Sequence, residues 1–387
     1  MISFENTEIA FRSKTNAQLN KAYWLFKIIS YPLIVKLGKL ITPLALKLNL
    51  PIKKIIKTTI FSQFCGGESI TECDSTIIKL GGFGIGTILD YSVEGQETLE
   101  EVEKTVQEII HTIKRGQNDL NIPFAVFKIT GIGSFSVLEK ASTGEMNDAE
   151  KLEFEEIKKR VERICQSAFD SNLPVFIDAE ESWIQQAIDR MAFEMMCKFN
   201  TERAIVYNTI QMYRWDRLNY LYHCLDEAKN HRIIYGVKLV RGAYMEKERV
   251  RAEKLGYPSP IQENKESTDK DFNLALKFIV DNHDFFALCA GTHNEESSIL
   301  LTQLLKEKSI SSSNNRFYFA QLLGMSDHIS FNLSHEKYNV AKYVPYGPVK
   351  EVLPYLLRRA DENTSVAGQT GRELSLIQKE KKRRRLL

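Results

Sequence analysis

Eight short β-rich runs, each followed by a stretch with helical periodicity, alternate through about 300 residues of this 387-residue chain, and nothing else in it narrows the fold as far. The runs are 86–91, 124–130, 174–178, 204–208, 233–240, 285–291, 317–322 and 340–344. Helical periods fill intervals such as 97–114, 149–171 and 183–199. Eight such units predict an α/β protein built as a (βα)8 barrel, whose site forms where strands end and the next loops begin. A doubly wound open sheet is the alternative.

The predicted strand ends carry the unusual residues. Lys128 closes the second run, Asp178 the third, Gln211 follows the fourth, Lys238 and Arg241 end the fifth, Thr292, His293 and Asn294 follow the sixth, and Tyr343 lies near the end of the eighth. On a barrel these would converge on one cavity. Later in the chain Tyr355, Arg358, Arg359 and Glu362 recur at helical spacing, so one helix face carries an aromatic ring, guanidinium groups and a carboxylate. Arginine binds carboxylates through paired hydrogen bonds, and a cavity with Lys128, Arg358 and Arg359 suits a small amino or oxo acid. The bland reading of the same helix is a solvated surface with an ion pair.

Six cysteines without a C-x-x-C pair, and without histidines at zinc spacing, argue against a metal site or a disulfide framework and for a reducing cytoplasm. The net charge of +2 conceals an asymmetry. From Ile9 to Gly67 there are ten Lys and Arg and no Asp or Glu, so the remainder from Glu68 is net acidic. This block, from about Asn16 to Phe64, reads as short helices with Pro32, Pro43 and Pro51 placed to start new ones. It is either a helical cap on the body or an amphipathic patch for anionic lipid, reinforced by the basic run Lys379 to Arg385. No apolar run reaches membrane-spanning length, and no partner among nucleic acids is expected. The glycines Gly81, Gly82, Gly84 and Gly86 lack the dinucleotide spacing and precede a strand, so they read as a flexible lead-in. The resulting division is an N-terminal helical cap or arm over 1–80, a barrel over 81–370 and a basic C-terminal tail over 371–387.

Several of these segments, taken together, resemble a known family. Phe127-Lys128-Ile129, Phe176-Ile-Asp178-Ala-Glu180-Glu181, Asn208-Thr-Ile-Gln211, Lys238-Leu-Val-Arg241-Gly242-Ala243-Tyr244, Thr292-His293-Asn294, Gln321-Leu-Leu-Gly324, Tyr343-Val-Pro-Tyr-Gly347 and Tyr355-Leu-Leu-Arg358-Arg359-Ala-Asp-Glu362-Asn363 are similar to successive motifs of proline dehydrogenases, closest to the monofunctional, mitochondrial type. The resemblance implies a distorted barrel holding FAD and oxidising L-proline to Δ1-pyrroline-5-carboxylate by hydride transfer to the flavin N5. Electrons would pass to a membrane quinone, with the protein peripheral on the cytoplasmic face of the inner membrane. It implies Asp178 and Lys238 as the catalytic pair, with Asp178 supporting Lys128. Lys128, Arg358 and Arg359 would bind the substrate carboxylate, and Tyr244, Leu322, Tyr343 and Tyr355 would enclose the ring. Contacts to FAD would come from Gln211, Val240, Arg241, Gly242, Ala243, Lys265, Thr268, Thr292, His293, Asn294, Glu362 and Ser365, with Glu94 as a gate. Many bacterial members carry arginine where this chain has Lys238. Tyr343 would crowd a ring hydroxyl, which favours proline over hydroxyproline. Two other readings remain: a Schiff-base lyase or aldolase using Lys128 or Lys238, and a noncatalytic protein of the membrane surface.

Overall fold

The structure is a computed structural model that describes residues 2–47, 51–92, 98–365 and 369–386, without the side chains of residues 40, 43–47, 361–365, 369 and 370. Eight parallel strands close into a barrel in the order β1 to β8, which excludes the open-sheet alternative. By internal contacts the chain divides into two compact units, Met1–Glu94 with Gln321–Leu387, and Gly95–Ala320.

The central unit runs α7 (Leu99–Gly116), β2 (Phe124–Phe127), α8 (Phe135–Thr143), α9 (Asp148–Asp170), β3 (Val175–Ile177), α10 (Ser182–Phe199), β4 (Val206–Gln211), α11 (Arg217–His231), β5 (Tyr235–Val240), α12 (Met245–Leu255), α13 (Lys265–Asp281), β6 (Phe286–Gly291), α14 (Glu295–Glu307) and the start of β7 (Phe317–Leu322). Capping side chains set the helix starts. Thr98 and Glu101 form a reciprocal capping box on α7, and Asn147 and Glu150 do the same on α9.

Alternation along the strands sorts two faces. On the inner face Phe124 stacks on Phe176 with ring centroids 4.3 Å apart, and both meet Tyr207 edge to face at 5.5 and 5.3 Å. Tyr318 joins them at 4.8 Å from Phe124. Such pairs each contribute about 0.5–1.5 kcal/mol beyond burial, so the amino-terminal end of the strands is a plug of rings. Gly236 makes room for it: a Cβ there would meet the Val206 carbonyl oxygen and come within 2.7 Å of the Tyr207 ring.

The other unit holds α1 (Thr7–Ala10), α2 (Asn16–Ile29), α3 (Pro32–Lys47), α4 (Lys53–Ile56), a π-helical turn Lys57–Phe61, α5 (Ser62–Phe64), α6 (Ile70–Gly81), β1 (Ile85–Tyr91), α15 (Asp327–His335), β8 (Val340–Tyr346), α16 (Leu353–Ser365) and α17 (Gln369–Arg383). Its apolar core joins Leu19, Ala22 and Phe26 of α2 to Phe64, Tyr355, Leu356, Leu376 and Ile377. Pro32 opens α3 as expected, but Pro43 lies inside that helix. The glycine-rich lead-in is a held turn: Gly84 has φ +70°, its N–H donates to Gly81 O, and the Ser334 hydroxyl donates to Phe83 O at 2.7 Å. The basic run at the C-terminus lies on the last turns of α17 and the two residues after it, and meets the chain's first residues. Arg384 donates to the carbonyls of Phe11 and Lys14, and Lys379 pairs with Glu5.

Candidate active site

Continuing the inner-face alternation beyond the ring plug brings Lys128, Asp178, Thr209, Gln211, Lys238 and Val240 to the carboxyl ends of β2 to β5. Asp178 and Lys238 form an ion pair in which both side chains are largely buried. The Lys238 ammonium also lies 5.5 Å from the Phe176 ring centroid, on top of the aromatic layer. Thr209 stands in register with Lys238, and its buried hydroxyl has no hydrogen-bond partner among the described residues.

Gln211 is the last residue of β4, not the first after it, and its side chain ties two loops to that strand. Its amide nitrogen donates to Glu180 O at 2.7 Å, and its amide oxygen accepts from the Ala243 N–H at 3.3 Å. Gly242, at φ +140°, brings that backbone close to Tyr213, whose ring a Cβ would meet at 2.5 Å.

Glu180 joins this cluster although nothing in the strand-end pattern singles out a role for it. It is 3% exposed and accepts from the Thr130 N–H at 3.0 Å and from the Thr130 hydroxyl. Burial pushes its carboxyl up to about 7 against the opposing pull of Lys128 and Thr130. The half-buried Tyr244 stands in the same field: burial raises its hydroxyl, Lys128 opposes, and Glu180, Glu181 and Asp178 add to the rise. The available signal was position, since Glu180 follows Asp178 by two residues at a strand end.

Arg241 is fixed from four sides. Nε donates to Asp269 at 2.6 Å, the two terminal nitrogens donate to the hydroxyls of Thr292 at 2.7 Å and Ser297 at 3.0 Å, and the guanidinium lies 4.4 Å over Phe272. Lys265 pairs with the other oxygen of Asp269, and the Thr268 hydroxyl donates to Asn264 O. Asn294 caps α14 by accepting from Ser297 N–H at 2.8 Å, and its own N–H donates to Thr292 Oγ1. His293 is half-buried beside them.

In the other unit Tyr343 and Tyr355 are buried, Leu322 and Arg358 are half-buried, and Arg359 lies 5.1 Å over the Tyr355 ring. Glu94 lies outside the described residues, as do the side chains of Glu362 and Ser365.

Comparison with known proteins bears on the same stretch. The proline dehydrogenase family model matches residues 73–372. The chain belongs to the proline dehydrogenase family. It is an enzyme of that family, as the expected resemblance implied. It is 32% identical over 426 residues to proline dehydrogenase 1, mitochondrial, of Dictyostelium discoideum, covering 98% of this chain and 74% of that one. It is 34% identical over 324 residues to the carbapenem antibiotics biosynthesis protein CarD of Pectobacterium carotovorum, covering 84% of each. Among solved structures, proline utilization A from Bdellovibrio bacteriovorus inactivated by N-propargylglycine superposes with a TM-score of 0.73 at 19% identity, over 93% of this chain and 38% of that one. That likeness shows the barrel fold of proline dehydrogenase family members, and this chain spans little more than a third of that protein.

Proposed function

We propose that the protein catalyses the FAD-dependent oxidation of L-proline to Δ1-pyrroline-5-carboxylate and hands the electrons to a membrane quinone. One observation carries the reading: Lys128, Asp178, Lys238 and Gln211 project inward at the carboxyl ends of parallel strands, within the stretch matched by the family. It implies a cytoplasmic enzyme that meets the inner membrane peripherally.

The donor set fits a flavin. Lys238 is held by Asp178, the Gln211 amide is already oriented, and the buried Thr209 hydroxyl beside Lys238 has no hydrogen-bond partner among the described residues. Gln211, Lys238, Val240, Arg241, Gly242 and Ala243 would hold FAD, together with Thr292, His293 and Asn294. Lys265, Thr268, Glu362 and Ser365 are further contacts. When bound, FAD supplies the acceptor for the hydride that leaves the ring carbon beside nitrogen.

The protein's own residues position and neutralise. Lys238, held by Asp178, supplies a fixed cation in the strand-end layer, where electrostatic stabilisation of developing negative charge is strongest. Lys128, Arg358 and Arg359 are assigned to the substrate carboxylate, with Glu180 and Asp178 setting the field around Lys128. Tyr244, Leu322, Tyr343 and Tyr355 supply apolar walls for the ring. Tyr343 leaves little room for a ring hydroxyl, which favours L-proline over hydroxyproline, and Glu94 is the proposed gate.

Turnover of L-proline with a soluble electron acceptor, with the pyrroline product trapped, tests the assignment. Arg358→Met or Arg359→Met is expected to raise KM for L-proline roughly tenfold or more, the loss expected for a hydrogen bond to a charged group. Unchanged KM and kcat/KM in both variants would remove the carboxylate role. Borohydride trapping of an oxo acid on Lys128 or Lys238 would favour the lyase reading instead.

A further inference from the structure

The surface that the site does not use is concentrated in α2, α3 and α4. Of the twenty large hydrophobic side chains exposed among the described residues, eight fall between Trp24 and Ile55. Elsewhere such residues are scattered singly, which is ordinary for a soluble surface. Here they form stripes. Leu33, Leu37 and Ile41 recur every four residues on α3 with Ile34 beside them, and Trp24 and Ile28 repeat the spacing on α2 just before Tyr31. Leu33 is 82% exposed and Leu37 56%. The buried residues Leu19, Ala22, Phe26 and Ile29 occupy another side of α2 and anchor it to the core. The helices therefore have an apolar outward stripe in addition to the one that holds them down.

The charges around the stripe select its occupant. Lys36, Lys39, Lys53 and Lys54 are all exposed, and Lys27 lies 5.1 Å over the Trp24 ring. The segment from Ile9 to Gly67 contains no Asp or Glu, and Glu68 just beyond it pairs with Lys53 at 2.9 Å, at the α4 end of the stripe. A second copy of the same face would bring lysine against lysine. An anionic bilayer would accept both features at once, apolar residues among the acyl chains and ammonium groups at the headgroups, with Trp24 and Tyr31 at the boundary. Among the described residues no helix is long and apolar enough to cross a membrane, so the contact lies in the plane of the interface.

We infer that the outward face of α2 to α4, centred on Trp24, Ile28, Leu33, Leu37 and Ile41, docks into an anionic lipid surface. The C-terminal basic run is not the main contributor, because Arg384 is bonded to Glu380 and to the Phe11 and Lys14 carbonyls, and Lys379 to Glu5. The inference deepens the proposed hand-over of electrons to a quinone and rests on it for its purpose. Lipid binding itself is measured without proline, so the two can fail separately.

The test uses the full chain loaded with FAD, sedimented with vesicles of phosphatidylcholine alone or of an equimolar mixture with phosphatidylglycerol. The parent protein is expected to sediment with the anionic vesicles and to be released by salt. Leu33→Glu combined with Leu37→Glu is expected to weaken that binding about tenfold or more, because two charged groups must enter the interface. Lys36→Gln combined with Lys39→Gln is expected to remove most of the preference for anionic lipid and the response to salt. Both variants should oxidise proline with a soluble acceptor at the parent's rate, which separates loss of docking from loss of fold. The inference is overturned if the glutamate variant binds vesicles like the parent. It is equally overturned if the parent ignores vesicles and sedimentation velocity shows it self-associated while the variant is monomeric, which would make a second copy the occupant.

Discussion

The Lys238 ammonium, at the inner end of β5, is paired with the Asp178 carboxylate just past β3, and neither side chain keeps more than a small part of its surface in water. A buried pair resists the loss of either partner more than the loss of both, since a lone charge remains without compensation. Asp178→Asn is therefore expected to cost about 3 kcal/mol in urea unfolding, and the double variant with Lys238→Met less than the sum of the two single effects. Additive losses would show that the pair carries no coupling. Proline turnover should fall in each single variant.

Glu180 gives the strand-end cluster a pH dependence. Its ordinary value is 4.5, and burial raises it to about 7 in the folded protein. Between those values the folded state binds more protons than the unfolded chain, so stability falls as pH rises through the window and is lower by about 3 kcal/mol above it. Glu180→Gln should flatten this part of a plot of Tm against pH and leave the variant at least as stable as the parent at pH 8. An unchanged slope would contradict the assignment.

Arg241 combines a forked donor set with a stack on Phe272. Arg241→Lys keeps the charge and loses the fork, so a stability loss of about 1–2 kcal/mol is expected. Flavin content, read as the ratio of flavin to protein absorbance after purification, should fall in parallel. Full flavin occupancy in this variant would confine Arg241 to holding Asp269, Thr292 and Ser297.

Asp327 sits between two lysines, 3.0 Å from Lys14 and 3.0 Å from the fully buried Lys342 of β8. Burial raises its carboxyl, but the two ammonium groups outweigh burial and hold it well below the usual range. The stability it contributes is thus present above its unfolded value of 3.8 and is lost as pH falls below that. Asp327→Asn is expected to cost about 3–5 kcal/mol at neutral pH, because Lys342 stays buried with its compensating carboxylate gone. The gap to the parent should narrow in acid, which chemical unfolding at several pH values would measure.

The barrel was legible because its strands are short apolar runs at regular spacing, and β7 has the bounds read from sequence. β4 begins two residues later than the sequence pattern predicts and runs three residues further. Asn200 bonds the backbone of Ile205, Val206 and Ile234, so 204 and 205 lead into the strand, and pairing with β5 carries it on to Gln211. The short helix α8 is hard to read from sequence because its nine residues span little more than two turns, although Gly144, in the left-handed region at φ 80°, marks its end. Strand parity in the sequence puts Lys128, Asp178 and Lys238 on one face, but it does not say which cation takes the carboxylate. The Asp178–Lys238 pair and the Thr130–Glu180 bond depend on registers and loop paths that only folding fixes. Likewise, the basic run at the C-terminus reads as a free tail until α17 packs it against the chain's first residues.

The central claim is that this barrel holds a flavin which L-proline reduces. The most direct measurement is the visible spectrum of the protein purified with FAD, recorded anaerobically before and after L-proline is added. The account predicts a flavin spectrum that bleaches with L-proline, with hydroxyproline much less effective. A protein that takes up no FAD, or one whose flavin spectrum L-proline leaves unchanged, would contradict it.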